Sequence, residues 1–71
     1  MTDEPLKNTL WAVVHTDDGG NSFLMKEGLT QTEAEIMIEE YASKGHKQHY
    51  TSFSYEQGRL QSILAERRIY Q

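Results

Sequence analysis

The residues of this 71-residue chain that invite chemistry are its histidines, two adjacent aspartates and a group of glutamates. His46 and His49 carry nitrogens suited to zinc, but a spacing of three brings them to one face only on a helix. On a strand the odd offset sends them to opposite faces. His15 can approach His49 across neighbouring strands, yet two histidines with no acidic residue close in sequence do not make a zinc site. Ordinary half-exposed histidines are therefore expected, their special property being titration near neutrality. No metal or other cofactor is implied.

Asp17 and Asp18 adjoin Gly19-Gly20 without the loop spacing and terminal Glu of a calcium-binding EF-hand. Their charges would also repel phosphate from a glycine cradle. A solvated turn is the better reading, with no general acid/base role for the pair. Glu35, Glu39 and Glu40 read as the solvated side of a helix. The chain has no Cys, and no Ser lies in a Gly-x-Ser-x-Gly elbow. It reads as a non-enzymatic protein.

Aromatic residues on a small sheet can stack on single-stranded bases. Tyr50 or Tyr55 would serve here, with Lys47, Arg59, Arg67 and Arg68 meeting phosphates. A formal charge of −4 opposes general affinity for nucleic acid, which depends on cations displacing counterions. No aromatic motif of the RRM kind is present, so a core role for these rings is favoured.

The elements that must position these residues are legible in outline. Leu10 to Thr16 is rich in strand formers and apolar on both alternating faces, which suits a central strand. Asp17 to Asn21 supplies turn chemistry, and Ser22 to Lys26 reads as the returning strand of a hairpin. Thr30 and Glu33 then have the spacing of a capping box, with Leu29 and Ala34 placed for a weak hydrophobic staple. Ala34, Met37, Ile38 and Tyr41 recur at helical spacing, so a helix is expected from Gln31 to about Lys44, with Gly45 able to end it. Ile36 falls on its opposite, charged side.

Lys47 to Tyr55 is expected to be a strand. Leu60 to Arg67 has strong helix formers and an apolar 60/63/64 pattern, with Ser54 and Gln57 spaced as a second capping box. The rival is a turn at Glu56 to Arg59 leading to a fourth strand. The helix is preferred because the segment is poor in β-branched residues.

The expected fold is a single α+β domain over residues 9–71, following a flexible leader over residues 1–8 that contains Pro5. Its order is strand, strand, helix, strand, helix, giving a three-stranded sheet of order 2-1-3 with a helix packing on one face. A right-handed crossover should join strands two and three. One plausible register sets Trp11 against Phe53, Val13 against Thr51 and Met25, and His15 against Phe23 and near His49. One face then carries Trp11, Val13, Phe23, Met25, Phe53 and Tyr55 under the first helix. The other carries Leu10, Ala12, Val14, Leu24, Tyr50, Ser52 and Ser54.

So short a chain, with no disulfide to supplement its core, can scarcely leave one sheet face wet. Burying a large apolar side chain is worth about 1.5 to 3 kcal/mol, whereas ordering a residue costs about 1 to 2 kcal/mol. The second face is thus expected to be covered, by the C-terminal helix or by another molecule. The function expected is that of a small interaction or regulatory protein that self-associates, as a homodimer, or docks on a protein partner. The contact residues expected are Leu10, Val14, Leu24 and Tyr50, with Ile36 as an outlying point. The alternative is a nucleic-acid accessory protein using Lys47, Arg59, Arg67 and Arg68. No apolar run approaches the roughly 20 residues of a membrane span, and the acidic N-terminus is unlike a signal peptide. Absence of Cys suits a cytoplasmic setting.

Overall fold

The apolar, β-branched run Thr9–Thr16 forms strand β1, which has a neighbour on each side. The computed structural model describes residues 9–44 and 49–71. The expected leader over residues 1–8 and the expectations for Gly45, His46 and Lys47 lie outside the described residues. The remaining elements are β2 (Ser22–Leu29), α1 (Gln31–Ser43), β3 (His49–Glu56), α2 (Leu60–Arg67) and β4 (Ile69–Tyr70).

The hairpin between β1 and β2 turns as its residues suggest. Gly20 N–H donates to Asp17 O at 3.0 Å, and Asp17 N–H donates to Asn21 O at 2.9 Å. Gly20, at φ +86, takes the left-handed position that closes such a loop. The capping box of α1 forms in both directions. Thr30 Oγ1 accepts from Glu33 N–H at 3.1 Å, and the Glu33 carboxylate accepts from Thr30 N–H at 3.0 Å. At the far end of the chain the expected helix forms, but Ser54 and Gln57 do not cap it. Its N-cap is Arg59, which makes no side-chain cap bond.

The sheet has four strands in the order β3-β1-β2-β4, so the expected three-stranded layer is corrected. β3 and β2 both run antiparallel to β1, in the expected 2-1-3 arrangement. The extra strand arises because Arg68 ends α2 in the left-handed conformation, at φ 57 and ψ 47. The chain then turns back, and Ile69 and Tyr70 lie parallel to Ser22 and Phe23.

The observed register between β1 and β3 differs by one residue from the expected one. Trp11 opposes Ser54, Val13 opposes Ser52 and His15 opposes Tyr50. A one-residue slip carries every side chain of a strand to the other face. Phe53 and Tyr55 therefore share a face with Leu10, Ala12 and Val14, while Tyr50, Ser52 and Ser54 share one with Trp11, Val13 and His15. On the hairpin side His15 opposes Phe23 as expected, but Val13 opposes Lys26 in place of Met25. β2 carries two register shifts, one between Leu24 and Lys26 and one between Lys26 and Leu29. Each inserts an extra residue, a β-bulge that bends the strand.

The exchanged faces explain how both helices are used. Ala12, Tyr55, Leu60 and Leu64 form the buried core cluster, ringed by Leu10, Leu24, Phe53, Ile63 and Ile69. This is the α2 side. On the opposite side Tyr41 of α1 stacks on Tyr50, while Val13 and Ala34 are both 0% exposed. A helix thus covers each face: α1 one of them, and α2 the second face, for which the C-terminal helix was one of the two expected covers. The chain makes one crossover from β2 to β3 through α1, and another back from β3 to β4 through α2. Crossovers of one hand that travel in opposite directions along a sheet must lie on opposite faces, which is the arrangement observed.

Candidate functional site

The hairpin aspartates are occupied structurally. Asp17 Oδ1 accepts from the backbone amides of Gly19 and Asn21, each at 2.9 Å. The Asn21 amide, followed by that of Gly19, lowers the Asp17 pKa below its ordinary value, against a smaller opposing effect of desolvation. A carboxylate committed in this way closes a loop. His49 opposes Thr16 while His15 opposes Tyr50, so the two rings emerge on opposite faces. Among the described residues no group of three or more His, Asp or Glu side chains is placed to hold a metal ion.

His15 instead belongs to a row of rings crossing the sheet at one end of β1. It stacks on Phe23 at 5.1 Å between centroids and 24° between planes, and meets Tyr50 at 6.2 Å and 44°. The row continues from Phe23 to Tyr70 at 5.4 Å and from Tyr50 to Tyr41 at 5.4 Å. Every strand contributes one ring, and α1 supplies Tyr41 at the end, with Lys44 Nζ 5.3 Å from its ring centre. His15 Nδ1 is buried and has no hydrogen-bond partner among the described residues. Sequence reasoning paired His15 with Phe23 but missed the parts of Tyr41 and Tyr70. Their signal would have been visible only with β3 in its true register and β4 recognised.

The geometry of this row bears on base stacking. A stacking platform needs ring faces turned outward. Here the rings are stacked or tilted against one another, with 23° to 44° between neighbouring planes. Tyr55 is 6% exposed, and its hydroxyl accepts from the Gly28 amide at 2.9 Å. The Arg67 guanidinium lies 4.8 Å from the Phe53 ring centre, on the opposite side of the sheet from the row. Arg59 and Arg68 cap the two ends of α2 on that same opposite side.

The expected protein-contact residues are dispersed. Leu10 and Leu24 pack around the core cluster beneath α2, and Val14 is 4% exposed. Tyr50 is half-buried within the ring row, and Ile36 is 51% exposed on the outer side of α1. The cover anticipated for the Leu10 face is supplied, in this chain, by α2.

The least protected feature is a backbone edge. Among the described residues β3 is a margin of the sheet, and its pairing with β1 runs uninterrupted from Thr9–Glu56 to Thr16–His49. The direction of its free groups follows from the hairpin. Asp17 N–H points toward β2, so in an unbulged strand residues 16, 14, 12 and 10 point theirs toward β3. Their partners His49, Thr51, Phe53 and Tyr55 are then the hydrogen-bonded ones. Ser52 and Ser54 consequently turn their N–H and C=O groups outward, whereas the Glu56 C=O accepts from Arg59 N–H at 2.9 Å in the turn that follows. Edge strands are ordinarily blunted by Lys, Pro or a bulge. Over His49–Glu56 there is none of these. The opposite margin differs: β4 covers the start of β2, and Lys26, Glu27 and two bulges occupy the rest.

Among the described residues no helix is long and apolar enough to cross a membrane. No family model, curated protein or solved structure matches the chain.

Proposed function

We propose that this protein is a non-enzymatic interaction module that docks on another polypeptide by adding a strand to the edge of β3. The observation that carries the reading is that edge itself: an eight-residue, unbulged margin on which Ser52 and Ser54 turn their backbone groups away from the β1 ladder among the described residues. Main-chain hydrogen bonds supply affinity in strand addition, and alternate side chains supply selectivity. Tyr50, already a candidate contact residue, belongs to this edge strand. The other apolar candidates act indirectly in this reading, since Leu10, Val14 and Leu24 support the sheet from beneath α2.

Nucleic-acid binding through Lys47, Arg59, Arg67 and Arg68 gains no comparable support. The described arginines and the ring row lie on different faces, and the rings are stacked or tilted against one another.

Proline at an outward-facing position provides the test. Ser52→Pro or Ser54→Pro removes an outward N–H while leaving the β1–β3 ladder its donors, which an edge strand tolerates. Thr51→Pro removes a ladder donor and should unfold the domain. Proteins that co-purify with the wild type, including further copies of the chain, should be lost with Ser52→Pro. Retention of every such protein by a folded Ser52→Pro chain would remove the edge from consideration.

A further inference from the structure

We infer that the cleft between the second bulge of β2 and the turn from β3 into α2 binds an α-amino amide of apolar character. That is the chemistry of a free polypeptide N-terminus, or of a small amino-acid amide. The cleft measures about 350 Å³, within the range of small-ligand sites, and Leu10, Tyr55 and Leu60 supply its apolar lining. Ser52 and Ser54 do not line it, so it is a site distinct from the edge of β3.

Two polar groups of the cleft lack counterparts within the described fold. Tyr55 is 6% exposed, and its hydroxyl accepts from the Gly28 amide at 2.9 Å. The hydroxyl also carries a proton of its own, which meets no acceptor among the described residues. A buried donor is costly to leave unpaired, and in this cleft water or a ligand oxygen can serve it. The second group is Glu27, the one charged residue lining the cleft among the described residues. Its carboxylate has no hydrogen-bonded or ionic partner among them.

Tyr55 therefore calls for an oxygen acceptor and Glu27 for a cation. The Tyr55 hydroxyl is bonded to the amide that directly follows Glu27, so the two anchors are neighbours. A ligand meeting both carries its ammonium and its carbonyl close together, as an α-amino amide does. A free carboxylate in place of the amide would be opposed by Glu27 and by the formal charge of −4. Capture of an N-terminal amine is an established mode of peptide recognition. The apolar lining selects a side chain such as that of leucine, which gains by leaving water.

The experiment is a titration of the isotope-labelled full chain with leucine amide. It is followed by the NMR shifts of the Gly28 and Gly58 amides, both of which line the cleft. The shifts should saturate with a dissociation constant of about 1 mM, as suits so small a ligand. N-acetyl-leucine amide, which lacks the cation, should bind the wild type about two- to fivefold more weakly. Glu27→Gln should weaken leucine amide by the same factor, yet bind the acetylated probe as the wild type does. A merely structural Glu27 would show no such coupling. Tyr55→Phe, verified as folded by its circular dichroism, should weaken both probes about three- to tenfold. A leucyl-glycyl-glycine amide that binds more tightly than leucine amide assigns the site to polypeptide N-termini, whereas equal affinity assigns it to the small amide. Absence of a saturable shift up to tens of millimolar overturns the inference. So does binding that neither acetylation nor either variant weakens. Both results leave edge docking standing, because Ser52→Pro tests that reading at residues outside the cleft.

Discussion

The Tyr55 hydroxyl accepts a hydrogen bond from the Gly28 amide at 2.9 Å, tying β3 to β2 across the full width of β1. Gly28 lies within the second register shift of β2, at φ +71, a conformation that favours glycine. A bulge interrupts the ladder locally, and a tyrosine from two strands away supplies the displaced amide with an acceptor. Core packing at Tyr55 and bulge geometry at Gly28 are thereby coupled.

Tyr55→Phe removes only that acceptor and keeps the ring. It should lower stability by about 0.5–1.5 kcal/mol, the usual net worth of one such bond. The exposure of Gly28, which lets water replace the hydroxyl, argues for the lower half of that range. Urea unfolding checks it: the midpoint should fall with the slope unchanged. An unchanged midpoint would show that the bond adds nothing beyond what water gives.

Leu64 is 1% exposed and is among the largest fully buried side chains. Leu64→Ala should cost about 2–5 kcal/mol, through lost burial and the cavity left behind. At roughly 0.05–0.15 kcal/mol per residue, a domain of this length has about 4–11 kcal/mol in total. The variant should therefore melt far below the wild type or fail to fold near body temperature. Ile36→Lys, at an exposed helix position, should change monomer stability by no more than about 0.5 kcal/mol. Comparing the two melting temperatures tests whether α2 is the principal cover of its sheet face.

How far such features were legible in the sequence depended on their range. The capping box at Thr30 and Glu33, the hairpin turn at Asp17 to Asn21 and the central position of β1 all follow from neighbouring residues. They formed as expected. The β1–β3 register did not, because Phe53 and Tyr55 suit either face and only the docking of α2 selects one. β4 escaped notice because two residues carry no periodicity, and its formation depends on a left-handed Arg68. The marginal place of the third strand followed from the expected 2-1-3 order, whereas the choice of which of its backbone groups turn outward needed the true hydrogen-bonding register.

Acid should act on the hairpin turn through Asp17. The Asn21 and Gly19 amides favour its charged form, so its folded pKa lies below the unfolded value of about 3.9. A depressed carboxylate contributes stability that is present above the unfolded pKa and is lost as pH falls through the folded one. Asp17→Ala should therefore be less stable than the wild type at pH 7, and the difference should shrink below about pH 4. Urea midpoints of both chains at several pH values decide the matter. Parallel curves throughout would mean that the carboxylate's charge is irrelevant to the turn.

Among the described residues Arg68 is the non-glycine residue that occupies the left-handed region, at φ 57 and ψ 47, where it ends α2 and launches β4. Side chains other than those of Gly, Asn and Asp resist this conformation because Cβ crowds the neighbouring carbonyl. Arg68→Gly relieves the crowding but loosens the unfolded chain, and the two effects oppose one another. Relief should prevail, because glycine is the preferred residue just beyond a helix. A gain of up to about 1 kcal/mol is expected from the balance. Arg68→Val provides the opposite limit, since a β-branched residue at positive φ is a genuine outlier. It should detach β4 from β2, exposing the Ser22 amide, which points away from β1. Hydrogen exchange at that amide should quicken in Arg68→Val and slow in Arg68→Gly, and equal rates in the two variants would mean that Arg68 does not govern the turn into β4.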